Sequence, residues 1–341
     1  MAKKADPMEA LMQRLAEQGL IIQRGGHAVE AIPTGIASFD LSTGVGGIPR
    51  RRVSIFQGEE GSGKTLLLLL LIAQIQRSGG AAAFVDLEHA LTPDFARLLG
   101  VDYDGLMISK PRTMEEAYDV ARPLCHSGLF DVVGFDSAVA LASEAAIDKS
   151  ARDGQQRAAV AQVHSEELPK IVSTINERTA FVLINQQREN PNPPTWWRGG
   201  KQLYSPGGRA LRHHSSMTID ITMGKVFRDA SGNRVGHVAK TYVSKNKVAQ
   251  PFRRAEFDIR YDTGVDPLTE LIAAAMNGSV LTQSSSWFYL EIVNPSTGEI
   301  LETKKWNGRA AMEEEIRGSP TICEYLSQTV KSIDTFEVDD A

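Results

Sequence analysis

From residue 50 onward, short apolar runs rich in β-branched residues alternate with longer stretches of helical periodicity, the pattern of βαβ units on a parallel sheet. The runs RRVSIFQ (51–57), AAAFVDLE (81–88), DVVGFDS (131–137) and TAFVLIN (179–185) predict four strands. Between them fall a Leu-rich helix, a helix opened by the capping box Thr113-x-x-Glu116, and a long helical stretch from Gln155 to Glu177. Pro123 and Pro169 interrupt the last two patterns and predict kinks or early ends. After residue 215 the chain turns strand-like, in MTIDITMG, KTYVSKNK and AEFDIRYD, as an antiparallel extension of the same sheet would give. A new unit begins at Pro267, with a helix at 268–276 and a hairpin, WFYLEIVNPSTGEILE, turning at NPSTG. The expected class is α/β, a mostly parallel twisted sheet flanked by helices.

At the start of the chain, helical spacing at Met8, Leu11, Met12 and Leu15 predicts a short amphipathic helix, charged and without the apolar core of a secretory signal. The most apolar run, Leu66 to Ile75, spans ten residues, where a bilayer needs roughly 20; it reads as a buried helix, and no membrane partner is expected. The last residues, DTFEVDDA, carry four acids and no base and read as an acidic tail.

Composition narrows the chemistry. The chain has 341 residues, 42% hydrophobic and 23% charged, with a net charge of -5, so any surface for nucleic acid must be local. Its two cysteines, Cys125 and Cys323, are far apart and lack a CxxC, which argues against a disulfide framework or zinc site and fits a reducing, cytoplasmic setting.

GEEGSGKT, residues 58–65, lies between a strand and a helix and matches G-x-x-x-x-G-K-[ST], the phosphate-binding P-loop. In that motif the backbone of Gly58, Glu59, Glu60, Gly61, Ser62 and Gly63 wraps the phosphates. Lys64 reaches the outer phosphates and the Thr65 hydroxyl ligates magnesium. Asp136, ending an apolar strand, is placed to hold the same Mg2+, often through water. Glu88 ends a second strand at that edge; it either prepares a water for attack on the γ-phosphate or is an N-cap or surface acid.

The loop QRENPNPPTWWRGGKQLYSPGG, residues 187–208, breaks every periodicity with four prolines and is long enough to be functional or disordered. Between 187 and 214 stand Arg188, Arg198, Lys201, Arg209 and Arg212 against one acid, Glu189, with Trp196, Trp197 and Tyr204 interleaved. Bases and aromatics in that mixture suit single-stranded DNA gripped without sequence readout; an exposed Trp pair is alternatively a protein contact.

GEEGSGKT, FVDLEHAL, DVVGFDSAVAL, VLINQQR, the GG-x-AL at 207–211 and VSKNKVAQPFRRAEFDI, in this order and spacing, resemble the bacterial RecA recombinase family over about residues 30–266. The resemblance implies a RecA-like ATPase core at 33–266, an N-terminal oligomerisation segment at 1–32, a small α+β domain at 267–330 and an acidic tail at 331–341. It implies Glu88 as the hydrolytic base and Gln186 as the γ-phosphate sensor, although an amide there could simply cap a strand end. Phe95 would stack on adenine, where a core Phe is the plain alternative, and Tyr261 would join the nucleotide site. Lys245 and Lys247 would reach the ATP of a neighbouring subunit; without the family, KNK is a solvated strand end. The Pro-rich loop, with Gly207 and Gly208, would be the second DNA-binding loop. The first corresponds to 144–157, with Lys149, Arg152 and Arg157.

The implied function is an ATP- and Mg2+-dependent recombinase that forms a helical filament on single-stranded DNA and pairs it with homologous double-stranded DNA, with single-strand-binding and loading proteins as further partners. A ring helicase on the same core, or a nucleotide-binding regulator acting through the Trp loop, are the rivals. This sequence departs from the family in a longer 187–208 loop, in His213 and His214 where the family has an aromatic pair, and in Gly134 within a strand, where Gly is unfavourable. With the abbreviated tail, such divergence would suit a phage-encoded member.

Overall fold

The computed structural model describes residues 29–140, 153–189, 203–294 and 296–332, together with Arg14 and Glu17, both helical. The rest of the amphipathic start, most of segment 144–157, the tip of the Pro-rich loop and the acidic tail from residue 333 lie outside the described residues.

The chain runs through β1 (Ala31–Ile32), α1 (Ala37–Ser42), β2 (Ile48–Pro49), β3 (Val53–Gly58), α2 (Lys64–Arg77), β4 (Ala82–Asp86), α3 (Pro93–Leu98), β5 (Met107–Ser109), α4 (Met114–His126), β6 (Val132–Asp136), α5 (Asp153–Thr174) and β7 (Ala180–Gln186). It continues with β8 (Arg188–Glu189), β9 (Leu203–Tyr204), α6 (Gly208–His214), β10 (Met217–Arg228), β11 (Arg234–Asn246) and β12 (Arg254–Arg260). The last part comprises α7 (Pro267–Asn277), β13 (Leu281–Ser284), β14 (Trp287–Val293), β15 (Ile300–Asn307), α8 (Arg309–Gly318) and α9 (Pro320–Ser332).

Eight strands form the central sheet, in the order β12-β11-β10-β3-β7-β6-β4-β5. Neighbours from β10 to β5 are parallel, while β11 and β12 extend the sheet antiparallel, as the strand-like pattern after residue 215 predicted. β5 is the parallel strand that pattern reading missed; three residues are too few to show a period.

Burial explains why the two halves of the sheet read differently. β4 and β6 are buried at every position, because crossover helices cover both faces of parallel strands. β12 alternates exposed and buried along its whole length, one face in water. On β7, Ala180, Val182 and Ile184 face the cluster built around α2, and Phe181 and Leu183 face the cluster of α4 and α5. Helix α2 is apolar nearly all round and buried from Leu66 to Ala73, as a helix enclosed by protein must be.

Gly134 has a packing role. A Cβ there would lie 2.9 Å from Leu68 Cδ2 of α2, and Leu68 is fully buried. The absent side chain lets α2 settle onto β6.

The capping box holds, with Thr113 Oγ1 accepting from the Glu116 N–H at 3.1 Å; the Glu116 carboxylate reaches back to the N–H of Arg112. Helices α4 and α5 continue past Pro123 and Pro169. Pro123 sits in the last turn, and at Pro169 the burial of Leu168 and Ile171 offsets the loss of one backbone bond.

β13, β14 and β15 form an antiparallel sheet, and the predicted hairpin is β14–β15. Helices α7, α8 and α9 cover it around Ile272, Leu290, Trp306 and Leu326, with Ala37 and Leu41 of α1 packed against them. The described residues from Ala31 to Ser332 form one compact unit. Among the described residues no helix is long and apolar enough to cross a membrane.

Glu270 of α7 is buried where α7 meets α1. Its Oε2 accepts from Ser38 Oγ at 2.9 Å, and burial pushes its carboxyl up to about 7, against the Ser38 bond. A proton kept in the folded state to about pH 7 but lost by the unfolded chain near 4.5 makes stability fall as pH rises through that window. Glu270→Gln, which keeps an acceptor for Ser38, should flatten that slope and raise the thermal midpoint at pH 8 by about 2 °C or more in melting curves from pH 5 to 8.

Candidate active site

β3 ends at Gly58 against β10, so close that a Cβ there would sit 2.1 Å from the Ile221 carbonyl oxygen. The loop then turns through Gly61 (φ +72) and Gly63 (φ +98), left-handed positions that side chains disfavour. Glu59, Glu60 and Gly61 are exposed, Ser62 is buried, and Gly63 caps α2. The free backbone N–H groups of that helix start lie beside the turn.

Lys64 folds back over the loop it follows. Its ammonium donates to the carbonyls of Glu59 at 2.7 Å and Gly58 at 3.1 Å. Burial lowers its pKa, opposed by the negative charges of Asp136, Glu88 and Glu60. The next residue, Thr65, donates its hydroxyl to Asp136 Oδ2 at 2.7 Å. Asp136 is 6% exposed; burial pushes its carboxyl up to about 7, with Glu88 and Asp86 adding to the effect and the Thr65 bond opposing it.

Glu88 lies just beyond β4, exposed, and its Oε1 accepts from Ser137 Oγ at 2.7 Å. Asp86, two residues earlier at the end of β4, instead caps the N–H groups of Ala90 and Leu91. Gln186 ends β7 directly opposite Gly58. Lys64, Thr65, Glu88, Asp136 and Gln186 thus meet at the C-terminal edge of the parallel strands, the edge where such sheets bind ligands.

Phe95 and Tyr261, from opposite ends of the core, flank a cleft of about 320 Å3 lined also by Gly61, Lys64, Thr65 and His237. Both rings are accessible, at 37% and 44%, and can face a planar base. His237 was not foreseen from the sequence. It is 2% exposed, its Nδ1 lies 3.2 Å from the Tyr261 hydroxyl, and burial lowers its pKa. A single His in a strand pattern carries no signal of such a position.

Lys245 and Lys247 are not at this cleft. Lys245 lies opposite Thr218, which pairs with Ile55, three residues before Gly58 and so about 10 Å back along the strand. Its ammonium donates to the carbonyls of Ser215 at 2.7 Å, His213 and Arg212, and Lys247 reaches His213 O at 3.2 Å. Both satisfy the C-terminal carbonyls of α6. Burial lowers the Lys245 pKa to about 8, aided by the charges of Lys247 and Arg212. His214 and Lys247, with Arg51 and Arg52, line a second cleft of about 490 Å3.

Of the basic loop, the neck is described: Arg188–Glu189 pairs antiparallel with Leu203–Tyr204. Gly207 (φ +94) and Gly208 (φ +80) open α6, and a Cβ on Gly208 would lie 2.9 Å from Ala161 Cβ, so the pair lets α6 dock on α5. Arg209 and Arg212 are exposed. Arg157 belongs to α5, its side chain outside the described residues, as are Lys149, Arg152, Trp196, Trp197, Arg198 and Lys201.

A glycine-rich turn leading into a buried helix, with a strand-end carboxylate against its threonine, defines a P-loop nucleotide-binding protein. A family profile, the RecA N-terminal domain, matches residues 10–266. Proteins described as "Protein RecA" are similar along most of the chain. That of Thermus aquaticus is 39% identical over 308 residues, 89% of this chain and 85% of its own. That of Clostridium novyi (strain NT) is 37% identical over 332 residues, covering 94% and 89%. That of Aquifex pyrophilus is 38% identical over 315 residues, covering 89% and 83%.

The chain belongs to the RecA family. Its members bind nucleotide and DNA, assemble into filaments and are DNA-dependent ATPases whose reaction is ATP-dependent strand exchange.

Because the Gly58 cradle has no room for a methyl group, Gly58→Ala must displace either β10 or the loop. It should weaken binding of a fluorescent nucleotide by about tenfold or more, with far-UV circular dichroism unchanged.

Proposed function

We propose that this chain is an ATP-dependent homologous recombinase that polymerises on single-stranded DNA and pairs it with homologous duplex. The observation that carries the reading is the convergence at one sheet edge of the P-loop, the Thr65–Asp136 pair, Glu88 and the neck of the basic loop. Lys64, drawn off the Gly58 and Glu59 carbonyls, would reach the outer phosphates of ATP, with the loop N–H groups around them. Phe95 and Tyr261 would flank the adenine.

Thr65 and Asp136 would hold Mg2+. A hydroxyl beside a buried carboxylate suits that ion, and among the described residues no cluster of three or more His, Cys, Asp or Glu could hold a metal alone. Magnesium characteristically takes one or two protein ligands and completes its shell with phosphate and water. When bound it neutralises charge on the phosphates. Glu88, its carboxylate oriented by Ser137, is the proposed base that takes a proton from the attacking water. Gln186 would sense the γ-phosphate from the strand that leads into the basic loop.

Lys245 and Lys247 would contact the nucleotide of the next subunit. The basic and aromatic residues of 187–212 and the basic residues of 144–157 would grip DNA through phosphates and base faces, leaving homology to base pairing itself. The cytoplasm is the proposed location, in keeping with two free cysteines, and single-strand-binding and loading proteins are proposed partners.

Strand invasion tests the reading: a labelled oligonucleotide, protein and ATP–Mg2+ are offered homologous or heterologous supercoiled duplex. Joint molecules with the homologous duplex alone, lost in Lys64→Ala, are expected. DNA-stimulated hydrolysis that unwinds duplexes irrespective of homology would point to a helicase instead.

Glu88→Gln should bind ATP and DNA but turn over about 100-fold or more slowly; rapid turnover would remove Glu88 from the role of base. Affinity for single-stranded DNA should fall with salt by about 0.7 log units per log unit for each neutralised phosphate.

A further inference from the structure

We propose that Gln57, Asp220 and Gln187 form a clamp that couples the nucleotide loop to the neck of the basic loop, an inference that rests on the recombinase reading above. Asp220 of β10 is the register partner of Gln57 of β3, and Gln57 is the partner of Asn185 of β7. Directly opposed residues on adjacent strands project to the same face. A polar row therefore crosses three strands one position before Gly58, next to the buried apolar Phe56, Ile184 and Ile219.

All three side chains of the row hold the neck. Asn185 Nδ2 donates to the Pro206 carbonyl at 3.0 Å. Gln57 Oε1 accepts from Ser205 Oγ at 2.8 Å, while Gln57 Nε2 donates to Asp220 Oδ1. The same Asp220 oxygen accepts from Gln187 Nε2 at 3.2 Å. Gln187 also donates its backbone N–H to the Gly58 carbonyl at 2.8 Å. The outgoing limb of the neck, at Gln187, and the returning limb, at Ser205 and Pro206, are both fastened to the strand that becomes the P-loop.

One acceptor is shared between the two functions. The Gly58 oxygen receives the Lys64 ammonium as well as the Gln187 N–H. Withdrawal of Lys64 toward a phosphate leaves Gln187 as the remaining donor of that pair, and Asp220 holds the Gln187 side chain by a charge-assisted bond. A step at the P-loop thus changes the bonding of the residue on which the neck pivots. Gln57 and Gln187 touch neither cleft, so they act as positioning residues.

The full-length chain is tested with a fluorescein-labelled single-stranded oligonucleotide by anisotropy, in Mg2+ with ATPγS or with ADP. The ratio of the two DNA affinities measures the coupling, and DNA must change nucleotide affinity by the same factor. Gln57→Leu and Gln187→Leu are each expected to lower that ratio about fivefold or more, with DNA-free nucleotide affinity within about twofold of the parent. Because both act on Asp220, the double variant should be no worse than the worse single. Gln187→Glu, which sets a second carboxylate against Asp220 without loss of volume, should lower the ratio at a similar melting temperature.

An unchanged ratio in both Leu variants overturns the clamp, as does an equal loss of DNA affinity in the two nucleotide states, the mark of a structural peg. A parent whose DNA affinity ignores nucleotide would remove the recombinase reading, and the clamp with it.

Discussion

The carbonyl and Cα of Gly58 are the point on which this structure turns. The residue is pressed so tightly against Ile221 that no side chain fits, and its oxygen accepts both the ammonium of Lys64 and the N–H of Gln187. One peptide unit therefore ends the central strand, opens the phosphate loop and anchors the segment leading to the basic loop. Moving β10 away would loosen the cradle, the lysine and the neck together, which is why the parallel pairing of β10 with β3 matters to the chemistry as well as to the core.

Around that point the protein keeps charged groups inside at an energetic cost. Asp136 is buried against Thr65 with Glu88 and Asp86 close enough to raise its proton affinity, and Lys64 is buried enough to lower its own. Such arrangements reduce stability in the absence of a ligand and are characteristic of functional sites. The surrounding framework can bear the strain because α2 is buried from Leu66 to Ala73 and β4 and β6 are buried at every position.

The placement of Lys245 and Lys247 at the opposite edge of the sheet has a geometric consequence for assembly. On the proposed roles, each subunit offers its phosphate loop from the C-terminal edge and its lysines from the other. Two such surfaces can meet only head to tail, and a heterologous contact of that kind builds a ring where its rotation closes and an open helical filament where it does not. The filaments that the family forms are compatible with this division of one site between two edges.

Sequence alone determined the local chemistry. The spacing of GEEGSGKT, the apolar strands ending in Asp136 and near Glu88, the antiparallel pattern after residue 215 and the Thr113 cap all follow from short-range rules of backbone geometry and periodicity. Tertiary structure alone decided which strands are neighbours, and with that the polar row of Asp220, Gln57 and Asn185, the burial of His237 beside Tyr261, the docking of Lys245 on α6 and the packing of Leu68 over Gly134. These depend on contacts between segments distant in the chain, Gln57 and Asp220 being 163 residues apart. A period of two or 3.6 tells a residue which face it occupies and leaves open whose face it meets.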